Sequence, residues 1–245
     1  MLSFETHRVS PGTIRAFDLL HEAGVKTFLS TGRAGSIIPE MPVTFDGKIT
    51  VNGALVYTPQ ETLLSNPIGP EELNRWLDYA KERGICTMTF TADTVLLAQP
   101  NKIGILLRNQ LDFDMPPVVD IEAMRNQTVY QLIAIMPGEQ DAEVARLLPQ
   151  CRLPRWHPYF TDIVGHDNSK ARGMEAICNH FGIAREETIA FGDGGNDVEM
   201  LEWAGIGIAM GNADDSVKAH ADMVTATVDD EGIEKAIDEL IGLTP

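Results

Sequence analysis

The segment Thr188–Asp197 constrains the fold more than any other, because an apolar run there ends in a glycine-rich turn that carries three polar side chains. Its first four residues favour a buried strand, and the glycines allow a tight turn into a helix. A carboxylate at the carboxyl end of a parallel strand lies where open α/β sheets bind their ligands. Asp193 is therefore a candidate ligand of a metal ion or a substrate. The alternative is that Asp193 and Asn196 only cap the following helix.

The same order of strand, polar turn and helix occurs on both sides of a central stretch whose pattern is different. The sequence predicts an α/β fold with a doubly wound, Rossmann-like parallel sheet from residues 1–65 and 160–245. An α+β domain is predicted as an insertion at 66–159. The predicted helices are the one after Ser10 and 71–83, 102–110, 140–148, 169–181, 196–204, 214–221 and 233–241. The predicted strands are 25–29, a hairpin over 49–57, 86–91, 94–98, 129–136, 151–159, 188–191, 206–210 and 223–227.

The charge of the chain limits its partners. Thirty-six acidic and 19 basic side chains give a formal net charge of −17, which repels a nucleic-acid backbone and an anionic membrane surface. We expect neither as a partner. A protein this acidic that handles a phosphorylated small molecule needs a divalent cation or a well-placed lysine at its site.

The three cysteines, Cys86, Cys151 and Cys178, are far apart and form no metal-binding spacing. Disulfides and a zinc site are therefore not expected, and a reducing cytoplasm fits. The first residues show no charged region followed by an apolar one, so a secretion signal is not expected either. The oligomeric state cannot be predicted from these features.

Three places along the chain carry candidate functional side chains. Thr31 follows a predicted strand, so its hydroxyl can face an anion at a helix start, although a plain capping turn is the alternative. Lys170 lies in the first turn of a helix, where the macrodipole disfavours a lysine. This placement favours an ammonium directed at a bound anion, and a solvated surface lysine is the alternative. Asp193, Asn196 and Asp197 offer the hard oxygen ligands that Mg²⁺ prefers.

In this order and spacing, four motifs resemble those of the haloacid dehalogenase superfamily. They are Leu29-Ser-Thr-Gly-Arg33, Asn52-Gly-Ala54, Lys170 with Gly173, and Gly192-Asp-Gly-Gly-Asn-Asp197. The nearest pattern is that of the Cof-type phosphatases, which carry an α/β cap between the second and third motifs. The resemblance implies Mg²⁺-dependent hydrolysis of small phosphorylated metabolites, sugar phosphates above all, through an aspartyl-phosphate intermediate.

The resemblance also implies roles for single residues. Thr31 and Gly32 match the phosphoryl-binding second motif, and Lys170 matches the lysine that neutralises the phosphoryl oxygens. Asp193 matches the metal ligand, supported by Asn196 and Asp197. The cap is expected to select the substrate. The candidate substrate contacts are Arg33, Asn52 and Arg155, with Trp156, His157 and Tyr159 close by, although Asn52-Gly53 could be a plain turn and the cap residues could be hinge packing.

The first motif of the family, a strand ending in Asp-x-Asp-Gly-Thr, is expected directly before Leu2, and this sequence starts at Met1. The only Asp-x-Asp, at Asp112 and Asp114, lacks the surrounding pattern. Losing this central strand would leave buried backbone groups unpaired, at roughly 1–3 kcal/mol each. We expect that Met1 is an internal methionine and that the 245-residue chain, without the first core strand and its nucleophile, is nearly inactive. The alternatives are a non-catalytic protein that binds a phosphate ester or a partner, and a mutase.

Overall fold

The computed structural model describes residues 6, 8–102, 116–155 and 157–242. They form two compact units. Unit 1 contains the described residues of Met1–Thr31, Pro39–Leu64 and Ser169–Pro245, and unit 2 contains those of Gly32–Ile38 and Ser65–Asn168. The predicted helix at 102–110 and the Asp112–Asp114 segment lie outside the described residues.

The described ranges contain seven α-helices and twelve strands. The α-helices are α1 (Pro11–Glu22), α2 (Pro70–Arg83), α3 (Asp141–Leu147), α4 (Lys170–Phe181), α5 (Val198–Trp203), α6 (Asp215–Lys218) and α7 (Gly232–Gly242). The strands are β1 (Phe28–Ser30), β2 (Gly47–Thr50), β3 (Leu55–Tyr57), β4 (Thr62–Ser65), β5 (Cys86–Phe90), β6 (Val95–Ala98), β7 (Gln131–Ile135), β8 (Cys151–Arg152), β9 (Thr161–Gly165), β10 (Ile189–Gly192), β11 (Ile206–Ala209) and β12 (Met223–Val224).

Unit 1 contains two sheets. The first has the order β1-β2-β3-β4, with β1 parallel to β2 and β2 antiparallel to β3. The second has the order β10-β11-β12 and is parallel throughout. Within the ranges that the structure describes, β1 and β10 are therefore both edge strands. The parallel pairs and the helices between them agree with the predicted α/β alternation.

Helix α4 connects the cores of the two sheets. Its residue Met174 contacts the cluster of Ile49, Val56 and Ile177 beside the first sheet. The same side chain also packs against the cluster beside the second sheet, which includes Leu201. A third cluster lies between α1 and α7. The amino end of α4, where Lys170 lies, is thus held by packing against both sheets.

Unit 2 has a five-stranded antiparallel sheet in the order β6-β5-β7-β9-β8. Helix α2 contributes the fully buried Trp76 and Leu77 to an apolar core that includes Leu132 and Ile163. No helix of the described residues is both long enough and apolar enough to cross a membrane.

The boundary of the insertion differs from the predicted one. Strand β9 pairs with β7 in unit 2, whereas the sequence pattern placed residues 160–168 in the other domain. Asn168 is buried in unit 2, where its Oδ1 accepts a hydrogen bond of 2.7 Å from Asn66. The strand predicted at 151–159 is shorter in the structure, where β8 contains only Cys151 and Arg152 and His157 forms an isolated bridge with Phe160. Strand β9 was not predicted, because its buried residues Thr161 and Asp162 are polar and interrupt the apolar run that indicates a buried strand.

Candidate active site

Four short segments of unit 1 carry Thr31, Asn52, Lys170 and the turn 193–197, and hydrogen bonds link them. Thr31 follows β1, and its amide donates to the carbonyl of Ile49 in β2 at 2.9 Å. Its own carbonyl accepts from the amide of Asn52 at 3.2 Å. The loop between β2 and β3 therefore fixes the backbone of Thr31.

Lys170 begins α4, and its ammonium contacts Asp197 in the turn after β10. The Nζ–Oδ1 distance is 2.5 Å, and each residue is only 5% exposed. Ser169 caps the helix by accepting a 3.2 Å hydrogen bond from the amide of Arg172. The alternative of a solvated surface lysine is wrong, because the side chain of Lys170 is buried. A buried ammonium needs a partner, and Asp197 provides one.

The other oxygen of Asp197 fixes the glycine turn. Its Oδ2 accepts from the amide of Asp193 at 3.0 Å and from the amide of Gly194 at 2.9 Å. Both carboxylate oxygens are therefore used inside the protein. Asp197 stabilises the turn and Lys170, and Asp193 and Asn196 are left as the residues of this turn that can face a ligand.

Asp193 is oriented by a residue that the sequence pattern did not single out. Asn212 donates from Nδ2 to Asp193 Oδ2 at 2.9 Å, and its Oδ1 accepts from the amide of Val228 at 3.0 Å. A signal was available, since Asn212 lies in the loop after strand β11, at the same end of the parallel pair as Asp193 after β10. In the sequence alone, however, an asparagine after Met210-Gly211 cannot be distinguished from an ordinary polar loop residue.

Asn196 contacts the loop between β2 and β3. Its Nδ2 donates to Asn52 Oδ1 at 2.9 Å, and both residues belong to unit 1. The amide group of Asn196 is thereby oriented, with its own Oδ1 pointing away from Asn52. The predicted substrate contact Asn52 is thus part of the same network as the predicted metal-site residues.

The donor set fits magnesium better than zinc. No group of three or more His, Cys, Asp or Glu residues that could hold a metal occurs among the residues described. Zinc sites in proteins need three or four such ligands, whereas Mg²⁺ keeps several waters and takes one or two carboxylates. Asp193, with one oxygen held by Asn212, has the chemistry of such a ligand. Its assignment and those of Asn196 and Asp197 stay predictions.

Arg155 lies in unit 2 and is engaged in internal contacts. Its Nε and Nη2 donate to the two carboxylate oxygens of Asp141 at 2.7 and 2.6 Å. Its Nη1 lies within 2.9–3.3 Å of the carbonyls of Met136, His157, Pro158 and Phe160. These contacts favour the packing alternative over a substrate contact.

The other predicted substrate and phosphate contacts are not tested by the structure. Gly32 and Arg33 belong to the segment Gly32–Ile38, which groups with unit 2, and their roles stay predictions. Trp156 lies outside the described residues.

The fold and the site together define an α/β protein whose polar residues collect in the loops after parallel strands. Residues 2–237 match the family described as haloacid dehalogenase-like hydrolase, and the chain belongs to this family.

Similar proteins cover nearly the whole chain. The putative phosphatase YkrA of Bacillus subtilis is 31% identical over 225 residues, which are 90% of this chain and 86% of the relative. The solved structure of the subclass IIB sugar phosphatase BT4131 is 36% identical, with a TM-score of 0.87 over 98% of this chain and 94% of that one. BT1666 of Bacteroides thetaiotaomicron, a phosphatase of the same superfamily, is 35% identical, with a TM-score of 0.89 over 97% and 90%. These likenesses confirm the predicted family and fold class.

Proposed function

We propose that this protein is a Mg²⁺-dependent phosphomonoester hydrolase that acts on small phosphorylated metabolites, with sugar phosphates as the first class to test. The observation that carries the proposal is the buried Lys170–Asp197 pair beside a glycine turn that presents Asp193. Phosphatases among the relatives, including the sugar phosphatase BT4131 at 36% identity, support the substrate class.

Each residue of the site has a task in this reaction. Lys170 places a positive charge next to the transferring phosphoryl group, and the hydroxyl of Thr31 binds one of its oxygens. Asp193 holds the metal ion, with Asn196 beside it and Asn212 fixing its orientation. When bound, Mg²⁺ supplies positive charge that neutralises the phosphate oxygens. These charges also offset the net charge of −17 that otherwise repels an anionic substrate.

The attacking carboxylate is assigned to a segment outside the described residues. Asp197 is paired with Lys170, and Asp193 is held by Asn212. Neither is placed to act as a nucleophile, so we assign this role to the Asp-x-Asp-Gly-Thr strand of the family's first motif. The first aspartate of that motif attacks phosphorus while its second aspartate donates a proton to the leaving ester oxygen. The second aspartate then takes a proton from the water that cleaves the aspartyl-phosphate and releases phosphate.

The proposal extends to location and to the role of unit 2. The three free, buried cysteines suit a reducing compartment, and we assign the protein to the cytoplasm. Unit 2 is assigned the role of the cap that selects the leaving group.

The test compares two chains, the 245-residue chain and one extended upstream to include the first motif. With p-nitrophenyl phosphate and Mg²⁺, turnover is expected in the extended chain and close to background in the shorter one. A panel of sugar phosphates then ranks substrates by kcat/KM. Phosphate-ester binding without turnover in both chains contradicts the proposal and favours the non-catalytic alternative. Equal turnover in both contradicts the assignment of the nucleophile.

A further inference from the structure

The loop between β2 and β3 has an unusual backbone. Val51, Asn52 and Gly53 have φ angles of 50°, 56° and 88°, so three successive residues lie in the left-handed region. Asparagine and glycine tolerate this conformation, but a β-branched side chain does so rarely. Val51 is nevertheless fully buried. We call these three residues the arch.

A plain hairpin turn does not explain the arch. The turns favoured between two antiparallel strands need positive φ at one or two central residues, which Asn52 and Gly53 alone would supply. The hairpin is also closed independently, because the hydroxyl of Thr50 donates to the carbonyl of Leu55 at 3.0 Å. Reversal of the chain between β2 and β3 therefore does not require the positive φ of Val51. Such strain persists where the surrounding structure fixes it, and it is concentrated at functional sites.

The arch contacts three places of unit 1 that carry predicted site residues, namely Thr31, Asn196 and the start of α4. The amide of Asn52 donates to the carbonyl of Thr31, and its side-chain oxygen accepts from Asn196. Gly53 lies against the start of α4, where a Cβ on Gly53 would be 1.9 Å from the carbonyl oxygen of Ser169 and 3.2 Å from the amide nitrogen of Lys170. No side chain fits there, and the positive φ favours glycine as well.

We infer that the arch is a positioning element of the active site. Gly53 sets the backbone of Lys170, Asn52 sets the amide group of Asn196, and Asn52 is anchored to Thr31. They are positioning residues, because they act on the phosphate through Lys170 and on the metal through Asn196. The inference rests on the proposed function for its effect on turnover, but the placement itself is testable without turnover.

The first test uses two glycine-to-alanine variants, both at positions with positive φ. Gly182, at the end of α4, has a φ of 67° and open space around its Cα. Gly53→Ala and Gly182→Ala thus both place alanine in the left-handed region, and only the first disturbs a neighbour. In the extended chain, Gly53→Ala is expected to lower kcat about 100-fold or more with little change in KM. A catalytic group displaced by about 1 Å lowers the rate by about this factor. Gly182→Ala is expected to retain the native kcat. Equal kcat values for the two variants overturn the inference.

The second test covers the case in which Gly53→Ala does not fold. Asn52→Gly keeps the backbone conformation and removes the acceptor for Asn196. It is expected to weaken Mg²⁺ binding about tenfold in calorimetric titration, as the loss of an outer-shell partner does. Asn52→Asp retains an acceptor and is expected to recover most of that loss. Equal Mg²⁺ affinity in Asn52→Gly and the native protein overturns the role of Asn52.

A third readout separates this inference from the proposed function. In ¹⁵N NMR spectra of the 245-residue chain, Asn52→Gly is expected to shift the side-chain amide signal of Asn196, and Gly182→Ala to leave it in place. This result holds whether or not the protein is a phosphatase. An unmoved Asn196 signal in Asn52→Gly refutes the positioning role, whereas a shifted signal in a protein that turns over no ester refutes only the proposed function.

Discussion

The contribution of the Lys170–Asp197 ion pair to the free energy of unfolding depends on its burial. Exposed ion pairs contribute about 0–1 kcal/mol, whereas removing one partner of a buried pair costs about 3–5 kcal/mol because the other charge stays buried alone. Both residues here are 5% exposed. The pair therefore supports the fold of the site before any substrate arrives.

Asp197→Asn is expected to destabilise unit 1 by about 3–5 kcal/mol, since it leaves the ammonium of Lys170 buried without an anion. Urea unfolding monitored by circular dichroism measures the loss. Asp18→Asn, at an exposed position of α1, is the control and should change stability by less than about 0.5 kcal/mol. A loss for Asp197→Asn as small as that of the control would show that the pair is not desolvated.

Asn212→Ala is expected to weaken Mg²⁺ binding about 10- to 100-fold, because Asp193 loses the group that orients its carboxylate. Calorimetric titration with MgCl₂ of the 245-residue chain and the extended chain checks this. Asn179→Ala, at an exposed position of α4, should bind as the native protein does. Native affinity in Asn212→Ala argues against Asp193 as the ligand.

The cysteine thiols are expected to be unreactive in the native protein. Burial, and to a lesser degree the nearby carboxylate of Glu72, raises the pKa of Cys151 to about 11. Burial also raises the pKa of Cys86 and Cys178. The thiolate is the reactive form, so at pH 8 only about one Cys151 in a thousand is ionised. Iodoacetamide labelling followed by mass spectrometry should show modification of all three only after denaturation in guanidinium chloride. Rapid labelling of Cys151 at pH 8 in the native protein contradicts this.

At the scale of elements, helix α4 shows which signals the sequence carried. The predicted range 169–181 matches it closely, and the structure shows Ser169 as its N-cap and Gly182 as its C-cap. Strand β9 was not visible, because the buried Thr161 and Asp162 interrupt its apolar pattern. Strand β8 was predicted too long, since only tertiary pairing decides where an extended segment stops being a strand.

Ser169→Ala is expected to cost about 0.5–2 kcal/mol, because the amide of Arg172 loses its acceptor at the start of α4. Thermal unfolding measures this cost. Ser169→Asp provides another acceptor and should recover most of it. Ser216→Ala, at an exposed position within α6, is the matched control. A Ser169→Ala variant that unfolds like the control shows that the cap is not needed.

At the scale of the whole molecule, the two units have separate cores. The cluster around Leu132 lies within unit 2, and the cluster around Leu201 lies within unit 1. Each unit has the elements of a cooperative folding unit, with its own buried apolar residues.

Leu132→Ala and Leu201→Ala remove the same group from two fully buried positions, at 0% and 1% exposure. Each is expected to cost about 2–5 kcal/mol. Differential scanning calorimetry should resolve two transitions, with Leu132→Ala lowering one and Leu201→Ala lowering the other. A single transition that both variants shift equally would show that the units unfold together.

Local patterns of apolar runs, glycines and capping residues were enough to predict the α/β class, which the comparisons confirm, together with an inserted domain and the candidates Thr31, Lys170 and Asp193. The sequence also predicted the family through four ordered motifs. Tertiary structure alone decided that Asp197 pairs with Lys170, that Asn212 orients Asp193 and that the arch joins the site segments. Those contacts connect residues far apart in the chain, and a sequence pattern with a period of two or 3.6 residues carries no information about which distant loops meet.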